Sequence, residues 1–172
     1  MFEPTQNTLD VSRVPEKIFE YINEQQEDAL AYVLSENDSS LQSIDSSRFY
    51  YSTIGRILAG TNNSISLIEE SFETDDDSDV LVGDLSFRYE TSLKGGDGNQ
   101  LGKDARLFKR ALDLMFVNIP EDVLIEDSQT VNISAEKSTP DSRVLLLGEG
   151  TGIYEQRIWT DVVYRFRGSA YL

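Results

Sequence analysis

The side chains able to do acid–base or covalent chemistry in this chain are almost all carboxylates: 31 Asp and Glu stand against 15 Lys and Arg, with no histidine and no cysteine. Histidine is the usual proton shuttle near neutral pH and the commonest metal ligand, so its absence removes most hydrolase mechanisms and every imidazole metal site. Without cysteine there are no disulfides, thiolate nucleophiles or thiolate metal sites. Chemistry resting on carboxylates, lysine or tyrosine survives. Two carboxylates flanking a sugar could hydrolyse it, but among so many acids some pair falls at the required separation by chance, and spacing singles none out.

Three stretches imitate ligand-binding motifs. Lys94-Gly95-Gly96-Asp97-Gly98-Asn99-Gln100-Leu101-Gly102-Lys103-Asp104 joins a strand to a helix, as a phosphate-cradling loop does. That motif requires glycine where the chain has Asp97 and Ser or Thr where it has Asp104, so both departures put negative charge where phosphate and magnesium would sit. Gly148, Gly150 and Gly152 alternate but lead into a strand, which lacks the helix N-terminus that holds a pyrophosphate; a hairpin turn is the favoured reading. The run Asp75-Asp76-Asp77-Ser78-Asp79 could attract a hard cation, yet it lacks the alternating spacing, central glycine and distal glutamate of a calcium loop, and reads as a solvated tip. Asn62-Asn63-Ser64 and Asn132-Ile133-Ser134 fit the glycosylation pattern only as chance matches. No catalytic, cofactor-binding or metal-binding residue emerges, and no cofactor is expected.

The charge distribution is more informative. Residues 143–172 hold four arginines against three carboxylates, a net of +1, so the preceding residues carry −17 of the total −16. Within this segment Arg157, Trp159, Arg165 and Arg167 fall on the polar face of one long strand. Tryptophan and arginine together are enriched at protein interfaces, which makes these four the interface candidates. The alternative for Trp159 is that it covers a second layer of its own domain.

Elements that would position these residues follow from periodicity. Ser12 can cap a helix with Pro15 in its first turn and Val14, Ile18, Tyr21, Ile22, Ala29, Tyr32 and Val33 on one face. Strands are expected over Arg48 to Ile54, Ile65 to Phe72 and Leu81 to Leu93, the last with Leu81, Leu85, Phe87, Tyr89 and Leu93 on its buried face. A second helix spans Leu101 to Val117, stopped by Pro120, with Leu101, Ala105, Phe108, Ala111, Leu112 and Met115 inward. Strands over Thr130 to Ala135 and Val144 to Leu147 precede the closing strand, Ile153 to Arg167, with Tyr154, Ile158, Val162, Tyr164 and Phe166 inward. The expected fold class is therefore α+β: a mostly antiparallel sheet of about six strands covered by two helices, in the order helix, three strands, helix, three strands. Residues 1–172 read as a single domain with flexible loops near 37–46, 73–79 and 94–102.

Composition bounds the setting. The net charge of −16 disfavours unaided binding to nucleic acid or an anionic membrane. The first residues carry no positive side chain before Arg13 and do not read as a targeting signal, and no apolar run approaches the roughly 20 residues of a membrane span. A soluble protein made in the cytoplasm is expected.

This element order, with its closing segment Arg157-Ile158-Trp159-Thr160-Asp161-Val162-Val163-Tyr164-Arg165-Phe166, resembles the tail-terminator family of long-tailed bacteriophages and the related neck and tail-completion proteins. The resemblance implies a non-enzymatic virion protein: a homohexamer forming a ring on the tail tube at the head–tail connection, in contact with the tail-tube protein and the head-completion protein. It also implies a negatively charged lumen through which DNA passes without specific binding. Two other readings stay open: another virion part, such as a tail-tube, baseplate or minor capsid protein, and a small acidic enzyme working through carboxylates.

Overall fold

The computed structural model describes residues 1–3, 8–34, 41–52, 63–75, 77–126, 129–137, 141–146, 152 and 154–171. The first helix, α1, is Arg13–Leu34. Its turn of entry is built on Asp10 rather than on a Ser12 cap: Asp10 Oδ1 accepts from the Ser12 amide at 3.1 Å and from its hydroxyl at 2.5 Å. The buried stripe runs through Val14, Ile18, Phe19, Ile22, Gln26, Leu30 and Val33. Tyr32, expected inward, is 66% exposed. At about 100° per residue a stripe through Ile22, Gln26 and Leu30 leaves position 32 on the flank.

After α1, Leu41 and Ile44 are buried. The loop expected over 37–46 is therefore anchored over 41–46, and 37–40 lie outside the described residues. A short 3-10 turn, Ser46–Arg48, capped by Asp45, leads into β1, Phe49–Tyr50. The strand expected over Arg48 to Ile54 is thus confined to two residues, and Thr53 and Ile54 lie outside the described residues. Strand β2 is Ser64–Asp75 and β3 is Val80–Gly95.

The second helix, α2, is Gly98–Val117. Asp97 caps it, its carboxylate accepting from the Asn99 and Gln100 amides at 2.8 and 3.3 Å. That capping overturns the flexible loop expected over 94–102, because β3 runs through Gly95 and the helix has already begun at Gly98. The loop expected over 73–79 is shorter as well, since β2 continues to Asp75.

Four strands follow: β4, Asp122–Glu126; β5, Gln129–Lys137; β6, Asp141–Leu146; and β7, Tyr154–Ser169. The fold is α+β with the expected order of elements, and β4 is an added strand, five residues framed by acids. Asp141 opens β6, while 138–140 and most of the glycine turn 148–152 lie outside the described residues.

The seven strands form one sheet in the order β1-β2-β3-β7-β5-β4, with β6 also pairing β7. Among the described residues only the β1–β2 pair is parallel. All 16 residues of β7 are in register with β3, from Gly95↔Tyr154 to Val80↔Ser169. On its other side β5 pairs with the second half of β7 and β6 with the first. The last strand in sequence is thus the middle of the sheet.

Both helices cover one face. The core joins Ile18, Phe19 and Ile22 of α1 and Phe108, Leu112 and Phe116 of α2 to Phe87, Tyr89, Val162, Tyr164 and Phe166 of the sheet. Burying each such large side chain contributes about 1.5–3 kcal/mol. Phe19 meets Phe87 edge-on at 5.1 Å, Phe87 meets Tyr164 at 5.4 Å, and the Tyr21 hydroxyl donates to the Met115 carbonyl at 2.6 Å, tying α1 to α2. Among the described residues no helix is long and apolar enough to cross a membrane.

Candidate interface surface

Alternation along β7 sends Ile158, Thr160, Val162, Tyr164 and Phe166 into the core, and puts Glu155, Arg157, Trp159, Asp161, Val163, Arg165 and Arg167 on the face away from the helices. The four interface candidates therefore share one row, in register with the corresponding face of β3: Arg167 opposite Val82, Arg165 opposite Asp84, Trp159 opposite Glu90 and Arg157 opposite Ser92. From Arg157 to Arg167 the row spans about 33 Å at the usual strand rise.

The row is largely engaged within its own chain. Arg165 Nε donates to Asp84 Oδ1 at 2.9 Å, and further along the ladder Arg88 forms a bidentate pair with Asp161 at 2.7 and 2.8 Å. These pairs lie directly across the β3–β7 ladder. Exposed or half-exposed, each contributes at most about 1 kcal/mol. Arg157 Nε donates to Glu155 at 3.2 Å, and the Ser92 hydroxyl donates to the same carboxylate oxygen. The Ser92 hydrogen bond, followed by Arg157, holds the Glu155 carboxyl below its ordinary range against the opposing effect of burial. Trp159 is half-buried, opposite the buried Glu90, whereas Arg165 and Arg167 are exposed. The structure thus divides the four: Arg165 and Arg167 face solvent at one end, and Arg157 and Trp159 are partly covered at the other.

Two of the three stretches that imitated ligand sites are engaged by the chain itself. The Asp97 carboxylate takes the N-terminal amides of α2, where a phosphate would have to bind. Asp75 accepts from the Ser78 hydroxyl at 2.5 Å and the Asp77 amide at 3.1 Å, which closes the β2–β3 turn with Asp79 at a φ of 50°. Those two hydrogen bonds hold the Asp75 carboxyl below its ordinary range, with a smaller contribution from Arg167. Among the described residues no three Asp or Glu side chains converge as a metal site. Asn63 is committed as well, its side-chain oxygen accepting from Thr91 at 3.0 Å and the Ser92 amide at 2.6 Å.

One surface escaped the reading of the sequence. Strand β2 is buried over its first four residues and exposed throughout 69–75. The signal was available: four carboxylates within the seven residues 69–75, in a segment with strand periodicity, describe a strand edge rather than a core strand.

No family model matches this chain, and no curated protein matches it. Among solved structures it is similar to a chain of the virion of a native gene transfer agent particle, with 17% identity, 86% of this chain and 96% of that chain covered, and a TM-score of 0.40. A likeness at that level carries no argument about function.

Proposed function

We propose that this chain is a structural subunit of a phage-like virion, a tail terminator that forms a homohexameric ring at the head–tail connection, caps the tail tube and meets the head-completion proteins. The observation that carries the reading is the closing strand β7. It spans the sheet centre and holds Arg157, Trp159, Arg165 and Arg167 along a face that α1 and α2 leave uncovered, in the element order by which the chain resembles that family. A surface of arginines balanced by carboxylates suits specific contact between subunits, because charge complementarity fixes partner and register more than it adds affinity. The acidity of the remainder suits a lumen that DNA traverses without sticking.

Sedimentation and negative-stain electron microscopy of the purified chain test this. The expected particle is a closed ring of about six copies that caps separately prepared tail tubes. A monomer at high concentration that neither forms rings nor joins tubes overturns it. The open edge of β2 favours a second reading, a tail-tube, baseplate or minor capsid protein, whose particles in the same images would be tubes or plates.

A further inference from the structure

Strand β2 runs past the helix-covered part of the molecule. Beyond Ile68 every residue to Asp75 is exposed, while the same stretch stays paired with β3 along its whole length. Strand β1 reaches only Ile65 and Ser66, and among the described residues no strand lies on that side of β2 further along. Such a ladder edge offers a row of backbone donors and acceptors to an added strand.

The edge is chemically selective. Register with β3 puts Glu69, Ser71 and Glu73 on the outer face and Glu70, Phe72 and Thr74 on the helix-side face. Four carboxylates and no basic residue lie within 69–75. Phe72 is 57% exposed, and it pairs with Gly83, over which the Phe166 ring lies; an apolar row crossing the sheet therefore ends in an uncovered ring. The β4 edge of a second copy is a poor occupant. The strand at the opposite end of the sheet, β4, carries Asp122 and Glu126 and no basic residue, so joining the two edges would oppose carboxylate to carboxylate.

We propose that the β2 edge over 69–75 is the docking site for an extended cationic segment of another protein, added to the sheet as a further strand, with Lys or Arg facing Glu69 and Glu73 and an apolar residue beside Phe72. The carboxylates that keep like edges apart select this partner, ladder hydrogen bonds hold it, and Phe72 sets its register. The inference is independent of the virion reading: strand addition is read on the isolated chain, and ring formation on the oligomer.

The test uses the full chain and a fluorescent, short peptide of alternating lysine and valine. It also uses the same peptide N-methylated at alternate residues, which keeps charge but blocks the ladder, and an alternating glutamate–valine peptide. The expected result is saturable binding of the first, weakened at least about tenfold by N-methylation and about tenfold by the E69K/E73K double substitution, with new hydrogen-exchange protection confined to amides of 69–75. Equal binding of the N-methylated peptide would reduce the edge to counter-ion attraction and overturn the proposal. So would binding of the acidic peptide, absence of saturable binding, or protection appearing elsewhere. Protection of 69–75 that grows with protein concentration and no peptide would assign the edge to a second copy, and overturns the proposal too.

Discussion

Tyr89 and Tyr164 share a hydroxyl-to-hydroxyl hydrogen bond of 2.7 Å, with both side chains fully buried. They are not cross-strand partners: Tyr89 lies opposite Thr160 and Tyr164 opposite Leu85, so the two rings lean toward each other along the sheet. Phe116 of α2 packs edge-on against both, at 5.5 and 5.9 Å. Two phenols are tolerable in a dry core because one hydroxyl donates to the other, so neither is left without a partner.

Removing one hydroxyl therefore strands its partner. Tyr164→Phe is expected to destabilise the fold by about 1–3 kcal/mol, and the Tyr89→Phe/Tyr164→Phe double variant by less than the sum of the single ones. Urea unfolding of the four proteins measures the coupling; strict additivity would contradict the shared bond.

The same pair sets an alkaline limit. Burial pushes the phenols of Tyr89 and Tyr164 above their ordinary value, so the folded state keeps two protons that the unfolded chain releases above about pH 10. Their contribution is complete below that pH and is lost as pH rises, by up to about 2.7 kcal/mol per pH unit for the two together. Unfolding measured from about pH 8 to about pH 12 should show this decline, and the double Phe variant should flatten it. Tyr21, raised by partial burial, leaves a residual slope.

Gln26 anchors the segment after α1 through two bonds to one residue. Its Nε2 donates to the Ile44 carbonyl at 2.7 Å and its Oε1 accepts from the Ile44 amide at 2.8 Å, both buried. Gln26→Leu keeps the volume and strands both backbone groups, at about 1–3 kcal/mol each. The Ile44 amide should then exchange with solvent far faster than in the parent protein, which hydrogen-exchange mass spectrometry reads directly.

Gly83 is required by the Phe166 ring. A Cβ there would lie 2.4 Å from the ring and 2.6 Å from the Ser71 carbonyl. Gly83→Ala is expected to cost about 1–3 kcal/mol, and Phe166→Leu in the same chain should recover part of that. Gly102 lies in α2 with open space, nothing within 4 Å, where a methyl would project, and should instead accept alanine with a gain of about 0.5–1 kcal/mol. Thermal unfolding distinguishes the two signs.

Much of this molecule was legible in its residues where period and burial agree. The inward sets of β3 and β7, such as Phe87, Tyr89, Val162 and Tyr164, follow strict alternation because one face of each strand packs on helices and the other does not. Alternation failed where burial is partial. Strand β4 is short and leaves Leu124 56% exposed, so it has no clean pattern, and Tyr32 looked apolar enough for a stripe that passes beside it. The glycines near α2 suggested a loop, but Asp97 supplies a cap strong enough to start the helix through Gly98 and Gly102. Of the interface row, sequence placed all four residues on one face. It could not foresee that Asp84 engages Arg165, because cross-strand register is a property of pairing over long separations rather than of local spacing, whereas the contact of Arg157 with Glu155, two residues away on the same face of β7, is a local one.

The position of β7 also governs how the chain can be made. While residues up to 146 emerge from a ribosome, β3 and β5 each wait with one edge unfilled, since the strand that joins them is synthesised after both. The sheet must therefore wait for β7 to be made before it can close, and a premature stop ahead of Tyr154 yields separate hairpins with sticky margins rather than a smaller working version of the protein.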